Sequence, residues 1–279
     1  MSKNIVTINC DKSLQDDLES TSIKSKGLFI DWIPTSSNDA KKAENIIIQT
    51  EVIETSIKKN IKTILFDRYQ SITNKETQWF QKHRNIVLCE PSIITRTGFT
   101  YLPFWVKIKS LNEINLNNET RDITFLHYGK ISSKIKSLEK YYKSYKTLFG
   151  DATLAYSSES ENQIDIAEKN LDYMERTNKN YKDAQYTIAL GSERDYKTGY
   201  LDPFIFKALE NNCVPFIPDE HRFYHALPII KPNTIEWYNK QYDFCYIGLI
   251  CYFYQCIEKY YPEMIIQNVI KQIDKLLEQ

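Results

Sequence analysis

Glycine is scarce, with seven in 279 residues, roughly a third of the usual share of about 7%. No glycine-rich phosphate loop of the form GxxxxGK[ST] occurs, nor GxSxG or HExxH, which excludes the nucleophile elbow and the helical zinc motif. Histidine is scarcer still, at four, and the six cysteines form no CxxC pair, so no zinc site is expected and no resident metal. Those cysteines, at 10, 89, 213, 245, 251 and 256, read as buried thiols of a reducing compartment. Charge of one sign is absent too. Thirty-six Lys and Arg balance thirty-six Asp and Glu, so any polyanion site must be a local patch such as Lys24/Lys26, Lys41/Lys42 or Lys58/Lys59. The longest apolar run, Phe244 to Ile257, is 14 residues, short of the roughly 20 needed to span a bilayer, so no membrane span is expected. The opening MSKNIVTINCDKS lacks a hydrophobic core segment and a small-residue cleavage site. A cytoplasmic protein without a signal peptide is therefore expected.

Apolar and aromatic residues are plentiful: 42% hydrophobic overall, with twenty Tyr, thirteen Phe and four Trp. A drift towards Ile, Lys, Asn and Tyr explains the excess of rings, and stacking on sugars or bases is the functional alternative. The first half alternates β-branched runs with polar stretches. NIVTIN (4–9), GLFIDWI (27–33), NIIIQT (45–50), KTILFD (62–67) and NIVLCE (85–90) read as buried strands, and KETQWFQKHR (75–84) as a helix. Strand alternating with crossover predicts a parallel sheet with helices on its faces.

The Asn-rich stretch 109–122 separates this unit from a fresh strand, ITFLHYG (123–129). Domains 1–118 and 119–279 are expected on either side. The second predicts a helix over 132–149, a strand over 152–158, a helix over 164–179, a strand over 186–191, a helix from Pro203 to about 212, a strand over 214–218, and closing helices around 241–258 and 262–279. The fold class is α/β, two Rossmann-like domains with C-terminal helices, in which ligands sit outside the carboxyl ends of the strands.

Residues at those strand ends carry the chemistry. In YTIALGSERDYKTGYLDPFIFKALENNCVPFIPDE (186–220), a strand leads through a polar loop holding Gly191 and Gly199 into a helix opened by Asp202 and Pro203. Glycine there lets backbone approach a ligand, and a helix start favours an anion. A well-made strand-loop-helix connection is the alternative. In ITFLHYGKISSKIKS (123–137), Gly129, Lys130, Ser132 and Lys134 gather hydroxyls and ammonium groups at another helix start. Lys136 and Lys140 read as a solvated face. KTILFDRYQ (62–70) ends a buried strand in Asp67, where a general base belongs, although an Asp here also caps turns or pairs with Arg68. Glu90 ends the next strand in the same way. Arg96, Phe99, Tyr101, Phe104 and Trp105 interleave cation and rings, for stacking or for core.

These segments resemble GT-B-fold glycosyltransferases. ALENNCVPFI (208–217) and the preceding loop and helix are similar to the donor segment of fucosyltransferase-like enzymes, and IALGSERDYKTGYLDPFIFKALENNCVPFIPDE resembles that of phage DNA glucosyltransferases, which modify hydroxymethylcytosine. The likeness covers roughly 60–108 and 123–220. It implies a nucleotide-sugar donor, UDP-sugar favoured, with no tightly bound cofactor. It places Gly129, Lys130, Ser132, Lys134, Gly191, Ser192, Tyr200, Lys207 and Glu210 on the donor, Asp67 as the base, and Arg68, Glu90, Arg96 and Trp105 on the acceptor side. Lys207 stands where those families place a ribose-binding Glu, Phe204 where they place Arg or Lys, and Glu210 follows one turn on. No DxD triad occurs, which disfavours the metal-dependent GT-A class. Double-stranded DNA is one acceptor so implied. A saccharide acceptor and a catalytically degenerate binding module are the rivals, and oligomeric state stays open.

Overall fold

The computed structural model describes residues 5–19, 23, 26–35, 37, 39–104, 121–128, 154–157, 175–176, 181–188, 191–200, 203–216 and 262–279. The chain divides into two compact units, residues 1–107 with 259–279, and residues 108–258.

In the first unit five parallel strands, β1 (Ile5–Ile8), β2 (Gly27–Asp31), β3 (Thr63–Phe66), β4 (Ile86–Glu90) and β5 (Phe99–Tyr101), lie side by side in chain order. Their near-continuous apolar sequences suit a parallel sheet buried on both faces, and every residue of β3 and β4 is buried. Register aligns Ile30, Leu65, Leu88 and Phe99 in one row across four strands. That row packs with Trp32, Ile53, Ile72, Phe80 and Ile86 into one core. Alternation sends Phe29, Ile64, Phe66 and Val87 to the other face, where Phe66 meets Phe104 edge to face with centroids 5.5 Å apart.

Three helices accompany these strands: α1 (Lys12–Glu19), α2 (Ala40–Lys58) and α3 (Asn74–Phe80). The strand expected over 45–50 lies wholly inside α2. Parallel β2 and β3 require a crossover of a dozen residues or more, and that geometric need overrides the β-branched composition of Ile46, Ile47 and Ile48. Ile47 is 59% exposed, while Gln49 is buried. The Gln49 amide accepts from Ile33 N and Asn9 Nδ2 and donates to the Ile33 carbonyl, each at 3.0 Å, tying α2 to the ends of β1 and β2. Thr73 and Glu76 form the capping box that starts α3.

The second unit carries β6 (Ile123–Tyr128), β7 (Leu154–Ser157), β8 (Glu175–Arg176), β9 (Ala184–Ile188) and β10 (Val214–Phe216), with α4 (Glu193–Thr198) and α5 (Pro203–Glu210). All pairings are parallel, in the order β10-β9-β6-β7-β8. The sequence reading is corrected at two places. Glu175 and Arg176, inside the expected helix 164–179, pair with Ala155 and Tyr156 as a strand. The polar loop after β9 contains α4, begun by a Ser192–Asp195 capping box and ended by Gly199 in left-handed conformation (φ 71°). Gly199 thus serves a helix stop. The helices expected over 132–149 and 241–258 lie outside the described residues.

A last helix, α6 (Pro262–Glu278), packs on α1 and β4 of the first unit. Ile265, Ile266, Val269, Ile270 and Ile273 form its buried stripe. Thr100 donates to Gln272 at 3.3 Å, and Lys62 pairs with Asp274. The expected domain 119–279 therefore differs from the compact units, because the apolar face of α6 is spent on the first sheet.

Candidate functional site

A parallel sheet ends all its strands in the same direction, so the residues that follow β1 to β4 share one edge. Asp31 closes β2, Asp67 and Arg68 follow β3, and Glu90 closes β4. Two ionic groups form there. In one, Arg96 donates through Nη2 to Asp67 Oδ2 at 2.6 Å, through Nε to Glu90 Oε2 at 2.7 Å, and through Nη1 to the Ile72 carbonyl at 2.8 Å. Its amide reaches Glu90 Oε1 at 2.5 Å, and its guanidinium lies 3.9 Å over the Phe99 ring.

Asp67 stands at the strand end where sequence places it, but its side chain is fully buried. Oδ1 accepts from Ser71 N and Oγ at 2.7 and 3.0 Å, and Oδ2 accepts from Ile72 N at 2.8 Å besides Arg96. Four donors occupy the carboxylate, so it caps the β3–α3 turn and fixes Arg96. Gln70 within that turn takes left-handed backbone (φ 54°) and donates to Ser92 at 2.7 Å. Glu90, equally buried, is held by Arg96 on both oxygens. The pairing partner of Asp67 is thus Arg96, not its neighbour Arg68.

Arg68 belongs to the second group. It contacts Asp31 Oδ2 at 2.8 Å and Asp11 at 3.7 Å, with its guanidinium 5.8 Å from the Phe104 ring centroid. Among the described residues, Asp31 Oδ1 and Arg68 Nε are buried and find no hydrogen-bond partner. Burial pushes the Asp31 carboxyl up to about 6; the Arg68 charge opposes the rise, and Asp11 and Asp67 add to it. Beside it, burial and then the charge of Asp31 push the Cys10 thiol up to about 12, so it is no thiolate nucleophile at neutral pH. Burial likewise raises Cys89 and Cys213.

Sequence reading missed Asp31. The signal was present, since Phe29-Ile30-Asp31 ends its strand as Leu65-Phe66-Asp67 does, but extending β2 to residue 33 hid it in mid-strand. Of the ring cluster, Phe99 and Phe104 are buried in the core, and Trp105 lies outside the described residues.

In the second unit the strand order reverses between β6 and β9. Ligands of open α/β sheets bind outside the carboxyl ends at such a point. The segment beginning Gly129, Lys130, Ser132 and Lys134 leaves β6 there; those four lie outside the described residues. From β9 the chain runs to Gly191 and Ser192. Gly191 N donates to the Tyr196 hydroxyl at 3.0 Å, and a Cβ at Gly191 would stand 3.0 to 3.2 Å from Asp195 and Tyr196 atoms. Ser192 N donates to Asp195 Oδ2 at 2.6 Å, while Ser192 Oγ accepts from Asp195 N at 3.2 Å. The start of α4 is thereby closed by its own carboxylate. Tyr200 N bonds the Asp195 carbonyl at 3.0 Å; Lys207 is exposed on α5 and Glu210 half-buried. Arg121, also absent from the sequence reading, ties the unit together by donating to the carbonyls of Tyr181, Ala184 and Asn211.

Among the described residues no His, Cys, Asp and Glu gather as a metal site, and no helix is long and apolar enough to cross a membrane.

No family model and no curated protein matches the chain. Among solved structures it is similar to a chain in the crystal structure of a GtfA/B complex, at 10% identity and a TM-score of 0.46, over 99% of this chain and 57% of that one. The chain thus spans little more than half the length of that neighbour.

Proposed function

We propose that the protein is a glycosyltransferase of GT-B type, moving a sugar from a nucleotide donor, UDP-sugar favoured, to an acceptor hydroxyl. One observation carries the reading: the order of the second sheet reverses between β6 and β9. The two segments whose sequences resemble donor-binding elements leave those two strands. In this reading Lys130, Ser132 and Lys134 hold the diphosphate. Gly191, Ser192, Tyr200, Lys207 and Glu210 form the donor side.

The first unit serves the acceptor. Arg68, Glu90, Arg96 and Trp105 belong to that side, with Glu90 and Arg96 shaping the edge through the network that Asp67 completes. Hydroxymethylcytosine in DNA is the acceptor favoured by the sequence likeness, with a saccharide as the alternative. As the acceptor oxygen bonds to the anomeric carbon, the bond to the phosphate oxygen breaks and its electron pair leaves on the nucleoside diphosphate. Cationic groups at the phosphate stabilise that leaving anion.

A thermal-shift panel of UDP, GDP, CDP, ADP, TDP and CMP, with matching sugar donors, tests the reading. Ligand at 100 times its dissociation constant contributes about 2.7 kcal/mol, several degrees for a chain of this size. One nucleotide should raise the melting temperature, and Lys130→Ala should abolish the effect. A cooperatively folded sample that responds to none of them refutes the assignment and leaves the binding-module reading.

A further inference from the structure

The first sheet segregates charge between the two ends of its strands. The carboxyl end gathers Asp11, Asp31, Asp67 and Glu90 around Arg68 and Arg96. The turns that enter the strands at the amino end are basic. Lys26 precedes β2, Lys58, Lys59 and Lys62 lie where α2 gives way to β3, and Lys82 and Arg84 lie between α3 and β4. Parallel register sets these turns side by side, about 4.8 Å apart from strand to strand. Leu28 N donates to the Lys62 carbonyl and Thr63 N to the Asn85 carbonyl, each at 2.8 Å. The buried Asn85 side chain donates to the carbonyls of Ser56 at 3.0 Å and Ile61 at 2.8 Å, which clamps the turn after α2 to the turn after α3. Lys58 pairs with Glu54 and Lys62 with Asp274, and Glu19 ends α1 at the same end of the sheet. Lys26, Lys59, Lys82 and Arg84 are exposed and form no ion pair among the described residues. In a chain of zero net charge these four make a local field of one sign.

An aromatic ring stands beside them. Trp79, next to last in α3, is 43% exposed, and its ring meets that of His83 edge to face with centroids 5.0 Å apart. His83 lies between Lys82 and Arg84, so the indole adjoins the cations. Solubility accounts for lysines on a surface but not for an exposed indole among them. Cations together with a ring suit single-stranded nucleic acid, whose phosphates follow the charges and whose unpaired bases stack on aromatic side chains. A lipid surface fits less well, because interfacial binding grows with buried apolar area and Trp79 is the one large apolar side chain exposed on α3 or these turns. We propose that this amino end of the first sheet binds single-stranded nucleic acid, with Lys26, Lys59, Lys82 and Arg84 on phosphates and Trp79 under a base. The surface lies at the opposite end of the strands from Asp31, Asp67 and Glu90, so it is independent of the transferase reading.

Fluorescence anisotropy of a labelled oligothymidylate of about 20 nucleotides, titrated with the full chain, tests the proposal. Four phosphate contacts give a slope of about −3 in log K against log salt, so affinity should fall about 50-fold between about 50 and 200 mM sodium chloride. Trp79→Ala should weaken binding about 10-fold by removing one stacked base. The double variant Lys59→Glu/Lys82→Glu should weaken it by at least as much. Lys41→Glu/Lys42→Glu makes the same change of charge at the other end of α2, about 27 Å away, beyond the screening length of about 10 Å at 0.1 M salt. It should leave affinity at that salt unchanged. No binding at about 50 mM salt by a sample with a cooperative melting transition, or equal losses in the two double variants, overturns the proposal. A duplex of the same length bound as tightly, with Trp79→Ala unchanged, overturns the single-strand assignment. Binding to phosphatidylserine vesicles without binding to the oligonucleotide overturns it too and assigns the surface to a membrane.

Discussion

Arg96 carries more of the first sheet's edge than any catalytic reading of it suggests. Two fully buried carboxylates and the Ile72 carbonyl share its guanidinium, and its own side chain is 30% exposed. Removing one partner of a buried ion pair leaves an uncompensated charge, at about 3–5 kcal/mol. Arg96→Leu should therefore lower the urea midpoint by an amount equivalent to about 3 kcal/mol, the lower end because water reaches the guanidinium. Arg68→Leu should cost less, since it frees a carboxylate that retains access to solvent. Asp31 gives the residue scale its pH dependence. Its folded value is raised from 3.8 to about 6, so between those limits the native state binds more protons than the unfolded chain. Stability must then fall as pH rises through that window, by about 3 kcal/mol at most, and level off above it. Asp31→Asn should be more stable than wild type at pH 7 and match it near pH 4, which calorimetry across that range reads directly.

At the scale of elements, the apolar strand runs were legible and geometric necessity was not. The runs that became β1 to β4 stand out because both faces of a parallel sheet are apolar. The Thr73–Glu76 capping box that starts α3 was not read, although its Thr-x-x-Glu spacing stands in the sequence. NIIIQT looks the same as those runs to any local reading, and only the demand for a crossover between β2 and β3 makes it helical. A pair of substitutions separates the two states. Ile47 is 59% exposed on α2, so Ile47→Ala should leave stability within about 0.5 kcal/mol or raise it slightly, since Ala is the better helix former. Ile53, 4% exposed and in the core with Leu65 and Leu88, should cost about 2–5 kcal/mol as Ala. A buried strand over 45–50 would make Ile47→Ala the costly change instead, and chemical denaturation distinguishes them. The site divides similarly. Asp67, Glu90 and Arg96 could be singled out from strand ends and composition, but that Arg96 joins the two acids depends on a turn whose course no spacing encodes. Arg121 was invisible for the same reason, because its three partners are backbone carbonyls far along the chain.

For the whole molecule, the two α/β units could be read from the alternation of strands and polar stretches, while the return of the chain to the first unit could not. An amphipathic helix declares that one face is to be buried and says nothing of where. The apolar stripe of α6 lies on the first unit, against α1 and β4. Ile266, fully buried in that stripe, offers the test. Ile266→Ala should cost about 2–5 kcal/mol by leaving a cavity. Hydrogen exchange should locate the loss, because local opening follows packed neighbours. Peptides covering α1 and β4 should exchange faster in Ile266→Ala, and those covering β6 and β9 should keep wild-type protection. The opposite pattern, with β6 and β9 loosened and β4 unchanged, would return the helix to the second unit, where the bare order of the sequence puts it.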